Sequence, residues 1–503
     1  MTRKITILLL FVFTLTSPAL FSQSMTKMEI EQSATKYLKN SLLAFREFLA
    51  LPNDGKYPEQ IETNLKWCEK AFTDLGFETR KIVSQGVPHL YAQKIIDPKK
   101  KNVLFYLQID GQPVDSSAWH QMSPFQAVIK DKNGKPVDWK SLDTAIDPDY
   151  KIFARSASDS KGPASCFMTA LKIMQDKQVA ADFNIKVIMD FQEEMSSPTI
   201  AQLVQDHRDL LAADRLLIMD GTRHISNLPT LTFGARGIST ITLTVFGAKE
   251  NLHSGQYGNY APNPAFALAR ILASMKDKDG RVLIDGFYDG INISEADKKI
   301  FAAIPEDLPE LDQRLGISQA EKVGVTYEES MQFPSLNVRG MRAGWVGKEV
   351  RTIIPSTAVA EIDIRLVPET EGQRMVNLVR KHIESQGVTL TDADPTHGER
   401  AKYPLLASFD YRIGTKPFRT DIDSDIGHWL DKAMTRAVDK HVNIRATGGS
   451  QPMATFIETL DLPAVSIRIP NPDNNIHGPN ENIRIGNFRE GIKMCLAVLT
   501  EKL

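Results

Sequence analysis

The sequence predicts an α/β protein: a mixed, largely parallel sheet flanked by helices, with a second, α+β unit inserted into it. Three observations carry this. Strand-like and helix-like segments alternate through the first half of the chain, as a parallel sheet with crossover helices requires. Near Gly237 the strands change from continuous apolar runs to polar–apolar alternation. After about Lys416 the first pattern returns. At 503 residues the chain is also too long for one ordinary core.

In chain order, residues 1–23 have the three parts of a secretory signal peptide: cationic Thr2-Arg3-Lys4, an apolar run from Ile5, and small or polar residues up to Gln23. The apolar run falls short of the roughly 20 residues a membrane span needs, so no membrane anchor is expected. The expected location is secreted, in the periplasm, with the mature chain starting near residue 24.

Residues 24–236 form the first part of the α/β domain. It reads as helical over 28–76, strand over 102–110, helix over 162–175, strand from Ile185, helix over 198–211 and strand over 215–220. Residues 237–412 form the insertion. Strands at 239–246 and 359–367 each precede a helix, at 264–275 and 371–386, and a short strand starts at Val388. Between its halves, 276–349 reads as a polar, partly helical excursion. Residues 413–503 return to the first domain, with a helix over 426–440, a glycine turn at Gly449-Ser450, and an apolar segment leading into the loop that holds His477.

A hydrophobic content of 42%, charged content of 24% and net charge of −2 describe a globular protein without a basic footprint, which excludes nucleic acid as a partner. Cys68, Cys166 and Cys495 have no metal-ligand spacing and are odd in number. Cys166 and Cys495 sit in apolar helical contexts and are expected in the core, and no disulfide is supported.

The chemistry gathers at strand ends. In open α/β sheets, sites form beyond the carboxyl ends of the strands, and here strands end at Asp110, at Glu193-Glu194 and at Asp220. Buried charge is costly unless paired or metal-bound. Two adjacent glutamates on an extended chain face opposite ways, so one can hold a metal while the other moves a proton. Asp159 opens a helix; it can cap that helix or project into the acidic cluster. His477 is either a solvated loop residue or the nitrogen ligand such a cluster needs.

Together these residues resemble the metallopeptidases that include carnosine dipeptidase, glutamate carboxypeptidase, aminoacylase and succinyl-diaminopimelate desuccinylase, most closely the dipeptidase branch. The resemblance implies a zinc-peptidase-like catalytic domain and a ferredoxin-like lid and dimerisation domain. It implies that Asp159 bridges two metal ions, with Glu194 and His477 completing one site and Asp220 belonging to the other. Glu193 becomes the general base toward the attacking water. His253, in Leu252-His253-Ser254-Gly255, reaches a partner subunit's site in a homodimer. Arg365 grips a substrate carboxylate, and Gly449 and Ser450 form a substrate-binding turn. The expected substrates are small peptides or acyl-amino acids.

One position departs from the pattern. Gln108 stands where the family carries a metal-ligand histidine, while Asp110, which would orient that histidine, is retained. A neutral amide oxygen suits zinc poorly. The expectation is therefore one tight zinc site and a second that is weak or takes Mn, Co or Mg. His89 and His120 lack the family position, and Ser160 replaces a second acid often found after the bridging aspartate. The contrasting expectations are an impaired relative acting as a dimeric binding scaffold, and an amidohydrolase for a non-peptide amide.

Overall fold

The structure, a computed structural model, describes residues 24–144, 146–451 and 453–503. The signal-peptide expectation lies outside the described residues. Among those described, no helix is long and apolar enough to cross a membrane.

The main sheet has the spatial order Glu78–Ser84, Val87–Lys94, Asn184–Asp190, Asn102–Gln108, Arg215–Ile218, Ala464–Arg468, Thr230–Thr232, Val442–Ile444. The four strands from Asn184–Asp190 to Ala464–Arg468 run parallel, with antiparallel pairings on either side. The sheet is mixed with a parallel centre. Alternate residues of Asn102–Gln108 serve different cores: Val103, Phe105 and Leu107 face one, Leu104 and Tyr106 the other. Helices therefore cover both faces, and the strand is apolar throughout because neither side meets water.

One helical layer holds Lys27–Leu49, Lys161–Lys177, Asp425–Ala437 and Ile485–Leu499. Lys27–Leu49 begins at a capping box of Thr26 and Glu29, and buries Ile30, Ala34, Leu38, Leu42, Phe45 and Leu49 at helical spacing. The helix expected over 198–211 is instead Ile200–Asp206 and Arg208–Leu211, interrupted at His207. Cys68, Cys166 and Cys495 are all buried and free.

The inserted sheet has the order Ser335–Arg342, Thr357–Leu366, Gly237–Phe246, Leu406–Ile413, Thr389–Thr391. Its first four strands are antiparallel and connected β-α-β-β-α-β through Pro264–Met275 and Gly372–Ser385, which is the ferredoxin-like arrangement. Burial alternates along Gly237–Phe246, so one face packs on the helices. The excursion is less irregular than its composition suggests. It contains the helices Glu295–Ala303, Leu308–Leu315 and Tyr327–Ser330, and ends in the edge strand Ser335–Arg342. That strand buries only Leu336 and carries a bulge between Val338 and Gly340, so it shows no hydrophobic alternation to read.

Candidate metal centre

The parallel strands deliver their carboxyl ends to one edge. Gln108 pairs with Asp190, while Tyr106 and Ser466 both pair with Ile218. Continuing that register two residues sets Gln108, Asp220 and Arg468 side by side in one row, with neighbouring strands about 4.8 Å apart.

The glutamate pair leaves its strand in a 3-10 turn, Glu193–Met195, not in extended chain. The divergence of the two side chains comes from that turn, about 120° per residue, and not from strand alternation. Asp110 fixes it: one carboxylate oxygen accepts the Glu193 N–H and the other the Glu194 N–H, each at 3.0 Å. Asp190 holds the rest, accepting from Tyr106 Oη at 2.9 Å, Ser197 Oγ at 2.5 Å and the Gln192 N–H at 2.9 Å.

Asp159 is presented by a loop wrapped around one buried acid. The Glu481 carboxylate accepts from the backbone N–H groups of Ser156 and Ser158 at 2.8 Å and of Asp159 at 2.9 Å. It also accepts from Ser158 Oγ and the Arg155 guanidinium, both at 2.8 Å. Asp159 does not cap the helix, whose N-cap is Ser160 with no side-chain cap hydrogen bond, and projects into the acidic cluster instead. The Asp159–Ser160 peptide is cis.

His477 Nε2 lies 3.0 Å from Asp159 Oδ2 and 3.3 Å from Glu194 Oε2. Asp159, Glu194 and His477 together bring one ligand atom each within 4.8 Å of the others. A tetrahedral ion with bonds of about 2.0–2.2 Å needs ligand atoms roughly 3.3–3.6 Å apart, so the set fits a zinc-like ion. Glu194 Oε2 also accepts from Gln112 Nε2 at 2.7 Å, while its Oε1 is buried without a hydrogen-bond partner.

The carboxyls raise one another. Burial, followed by Asp159 and Asp110, pushes Glu194 up to about 10. Burial and then Asp220 and Asp159 push Glu193 well above the carboxylate range. Asp110 is raised by burial and Asp190, and Asp220 by burial and Asp159. These carboxyls ionise together only against positive charge placed among them.

The other expected residues divide. Gln108, Asp159, Glu193, Asp220, His477, Gly449 and Ser450 line one cleft of about 510 Å³, together with Arg468 and, from the excursion, Leu311, Arg314, Tyr327 and Glu328. Arg365 stands behind the turn, donating from Nη1 to Ser450 Oγ at 3.2 Å, with Nε 3.6 Å from Asp363 Oδ2. His253 is exposed, accepts the Gly255 N–H at Nδ1 (3.1 Å), and is not among the residues lining its own chain's cleft. His89 is buried beside Asp190, with Nε2 3.0 Å from Thr199 Oγ1. His120 is exposed, and its backbone N–H donates to Asn480. Neither replaces the missing imidazole. Gln108 itself is buried with neither amide atom hydrogen-bonded among the described residues.

The family model Peptidase family M20/M25/M40 matches residues 104–501. The chain belongs to this family. It is 25% identical over 417 residues to the Cys-Gly metallodipeptidase dug1 of Schizosaccharomyces pombe, an alignment covering 80% of each chain. An M20 family metallo-carboxypeptidase, Sso-CP2 from Sulfolobus solfataricus, superposes with a TM-score of 0.74 at 27% identity, covering 92% of this chain and 99% of that one. Bacillus subtilis YXEP, a dinuclear metal binding peptidase from the M20 family, superposes at 0.56 with 13% identity, covering 93% and 98%. This M20 peptidase is thus a hydrolytic enzyme of the dipeptidase branch, and metal dependence follows from its family and its ligand cluster.

Two groups in this M20 peptidase went unread in the sequence. Glu481, four residues past His477 in an Asn/Pro loop, looks solvated there but is buried. Arg468 looks like the exposed end of a strand but is also buried.

Proposed function

We propose that this M20 peptidase hydrolyses small peptides or acyl-amino acids beside a free carboxylate, using an ion held by Asp159, Glu194 and His477. The observation that carries the reading is the placement of Glu193 on the cleft wall immediately beside that ligand set. An ion bound there supplies Lewis acidity toward the scissile carbonyl and lowers the pKa of water.

Glu193 takes the proton from the attacking water and returns it to the leaving amine. Its buried, acidic surroundings raise its affinity for a proton, and a bound cation would offset enough of that to leave it ionised and free to accept one. Asp110 acts through the backbone, holding Glu193 and Glu194 in their turn. The Gly449-Ser450 turn on the cleft wall binds the substrate carboxylate, with the Arg365 guanidinium behind it, donating to Ser450 Oγ, supplying the positive charge.

A screen of dipeptides and N-acyl amino acids with added Zn²⁺, Mn²⁺ or Co²⁺ tests this. We expect turnover, reduced about 10²–10⁴-fold by Glu193→Gln with metal binding retained. No turnover with any metal overturns the hydrolase reading in favour of a binding scaffold.

Two further parts of the reading have their own support. Exposed apolar side chains concentrate on the insertion, at Tyr257, Tyr260, Phe266, Val338, Met341, Trp345, Val346 and Val350. Such a patch suits a second copy of the chain, with His253 crossing into its cleft. Light scattering showing a dimer, and a monomer from a deletion within this patch, tests that. Export is proposed from the pattern of residues 2–23, and cell fractionation with N-terminal sequencing tests it.

A further inference from the structure

We propose that the guanidinium of Arg468 takes the place of a second metal ion, so that the centre holds one ion and one built-in positive charge. The inference rests on the metallohydrolase reading and concerns the half of the centre where Gln108 replaces histidine.

Arg468 ends the strand Ala464–Arg468, in the same row as Asp220 and Gln108. It is only 7% exposed, and its Nε and Nη2 make no hydrogen bond among the described residues. A buried guanidinium in that state needs compensating charge. Among the described residues its guanidinium makes no ion pair within 4.0 Å, and it lines the same cleft as Asp220, Asp159 and Gln108, the two acids being the charges that act on it. The backbone makes room for the group. A Cβ at Gly221 would lie 1.6 Å from Nη1 and 2.4 Å from Cζ, and Gly221 has φ +93°. Only glycine allows the guanidinium to lie against the residue after Asp220.

The groups on this side are also engaged or poor ligands. Ser160 Oγ lies between the two carboxylates, 2.7 Å from Asp220 Oδ1, to which its hydroxyl donates, and 3.1 Å from Asp159 Oδ1. Gln451 Nε2 approaches the other Asp220 oxygen at 3.4 Å. Gln108 offers a neutral amide in place of an imidazole. A divalent ion here would share the cleft with a fixed cation in its wall, and like charges about 5 Å apart repel by several kcal/mol even at an effective dielectric near 20. This half of the centre therefore does not fit a metal ion, whereas Asp159, Glu194 and His477 do.

The test is a count of ions. Full-length protein is stripped of metal, titrated with Zn²⁺ by calorimetry, and assayed for bound zinc after gel filtration. We expect one ion per chain for wild type, and still one for Gln108→His, because the guanidinium remains. Adding Arg468→Met to Gln108→His should raise the count to two. Arg468→Lys, which keeps the charge, should leave it at one. Two tight ions in wild type overturn the inference while leaving the hydrolase reading intact, and a count of zero sinks both. A folded double variant that still binds one ion, by circular dichroism and the same titration, also overturns it. If the double variant does not fold, the wild-type and Gln108→His counts decide.

Discussion

At the scale of single residues, the acids that matter most differ in how they can be recognised. Asp110, Glu193, Glu194 and Asp220 are legible because they end apolar runs, and parallel pairing brings the ends of such runs to one edge. Glu481 has no such signature, since its role is to accept backbone N–H groups from a loop more than 300 residues earlier in the chain. It holds Asp159 in place without touching the ion. Glu481→Gln should therefore weaken zinc binding about 10–100-fold, as loss of a partner behind a metal ligand does. It should also lower stability by about 3 kcal/mol, because the buried Arg155 loses its counter-charge. Competitive zinc titration and urea unfolding measure the two effects, and zinc affinity unchanged from wild type would remove Glu481 from the account. Gln108 was visible as a departure, but what accompanies it was not. Arg468 and the Ser160 hydroxyl acquire meaning only from the row in which they stand.

At the scale of elements, the segments read best are those whose burial pattern is regular. The helix Pro264–Met275 starts at Asn263, which caps it, followed by proline at the first position, and its expected bounds coincide with those observed. The strands Gly237–Phe246 and Thr357–Leu366 show alternation because one face is packed on helices. Leu406–Ile413 and Ser335–Arg342 were missed, the first because its later residues are largely exposed, the second because it is a bulged edge. Both are held by the strands between them, so the insertion depends on its central residues. Ile362 is fully buried and pairs with Ile241 on one side and Val338 on the other. Ile362→Ala should destabilise the insertion by about 2–5 kcal/mol. The expected readout is a lower urea midpoint for near-ultraviolet signals of the insertion, with zinc affinity unchanged. Equal loss of zinc affinity would show that the two units do not fold separately.

At the scale of the whole molecule, the excursion closes one side of the cleft, and its junction with the catalytic domain brings together His224, Glu306 and Glu328. Burial lowers His224 to about 4, while burial and then Glu306 raise Glu328 to about 8. At neutral pH the junction therefore joins a neutral imidazole to a protonated carboxyl. Glu306 spends its carboxylate on the Tyr327 and Glu328 N–H groups, at 3.0 and 2.8 Å. The two shifts act on stability in opposite directions over overlapping windows. Glu328 has an ordinary value of 4.5, so between about 4.5 and 8 the folded state binds more protons than the unfolded one, and stability falls as pH rises through that range. His224 starts from 6.5, so stability falls as pH drops from about 6.5 toward 4. Glu328→Gln removes the first effect and keeps a neutral side chain of the same shape. Its Tm should match wild type near pH 5, exceed it increasingly up to about pH 8, and keep a steady margin above that, with a gain of up to about 5 kcal/mol. Thermal melts of wild type and variant from pH 5 to 9 measure the difference. A gap that does not change with pH would mean that Glu328 is ionised in the folded protein, and that the excursion meets the catalytic domain through charge.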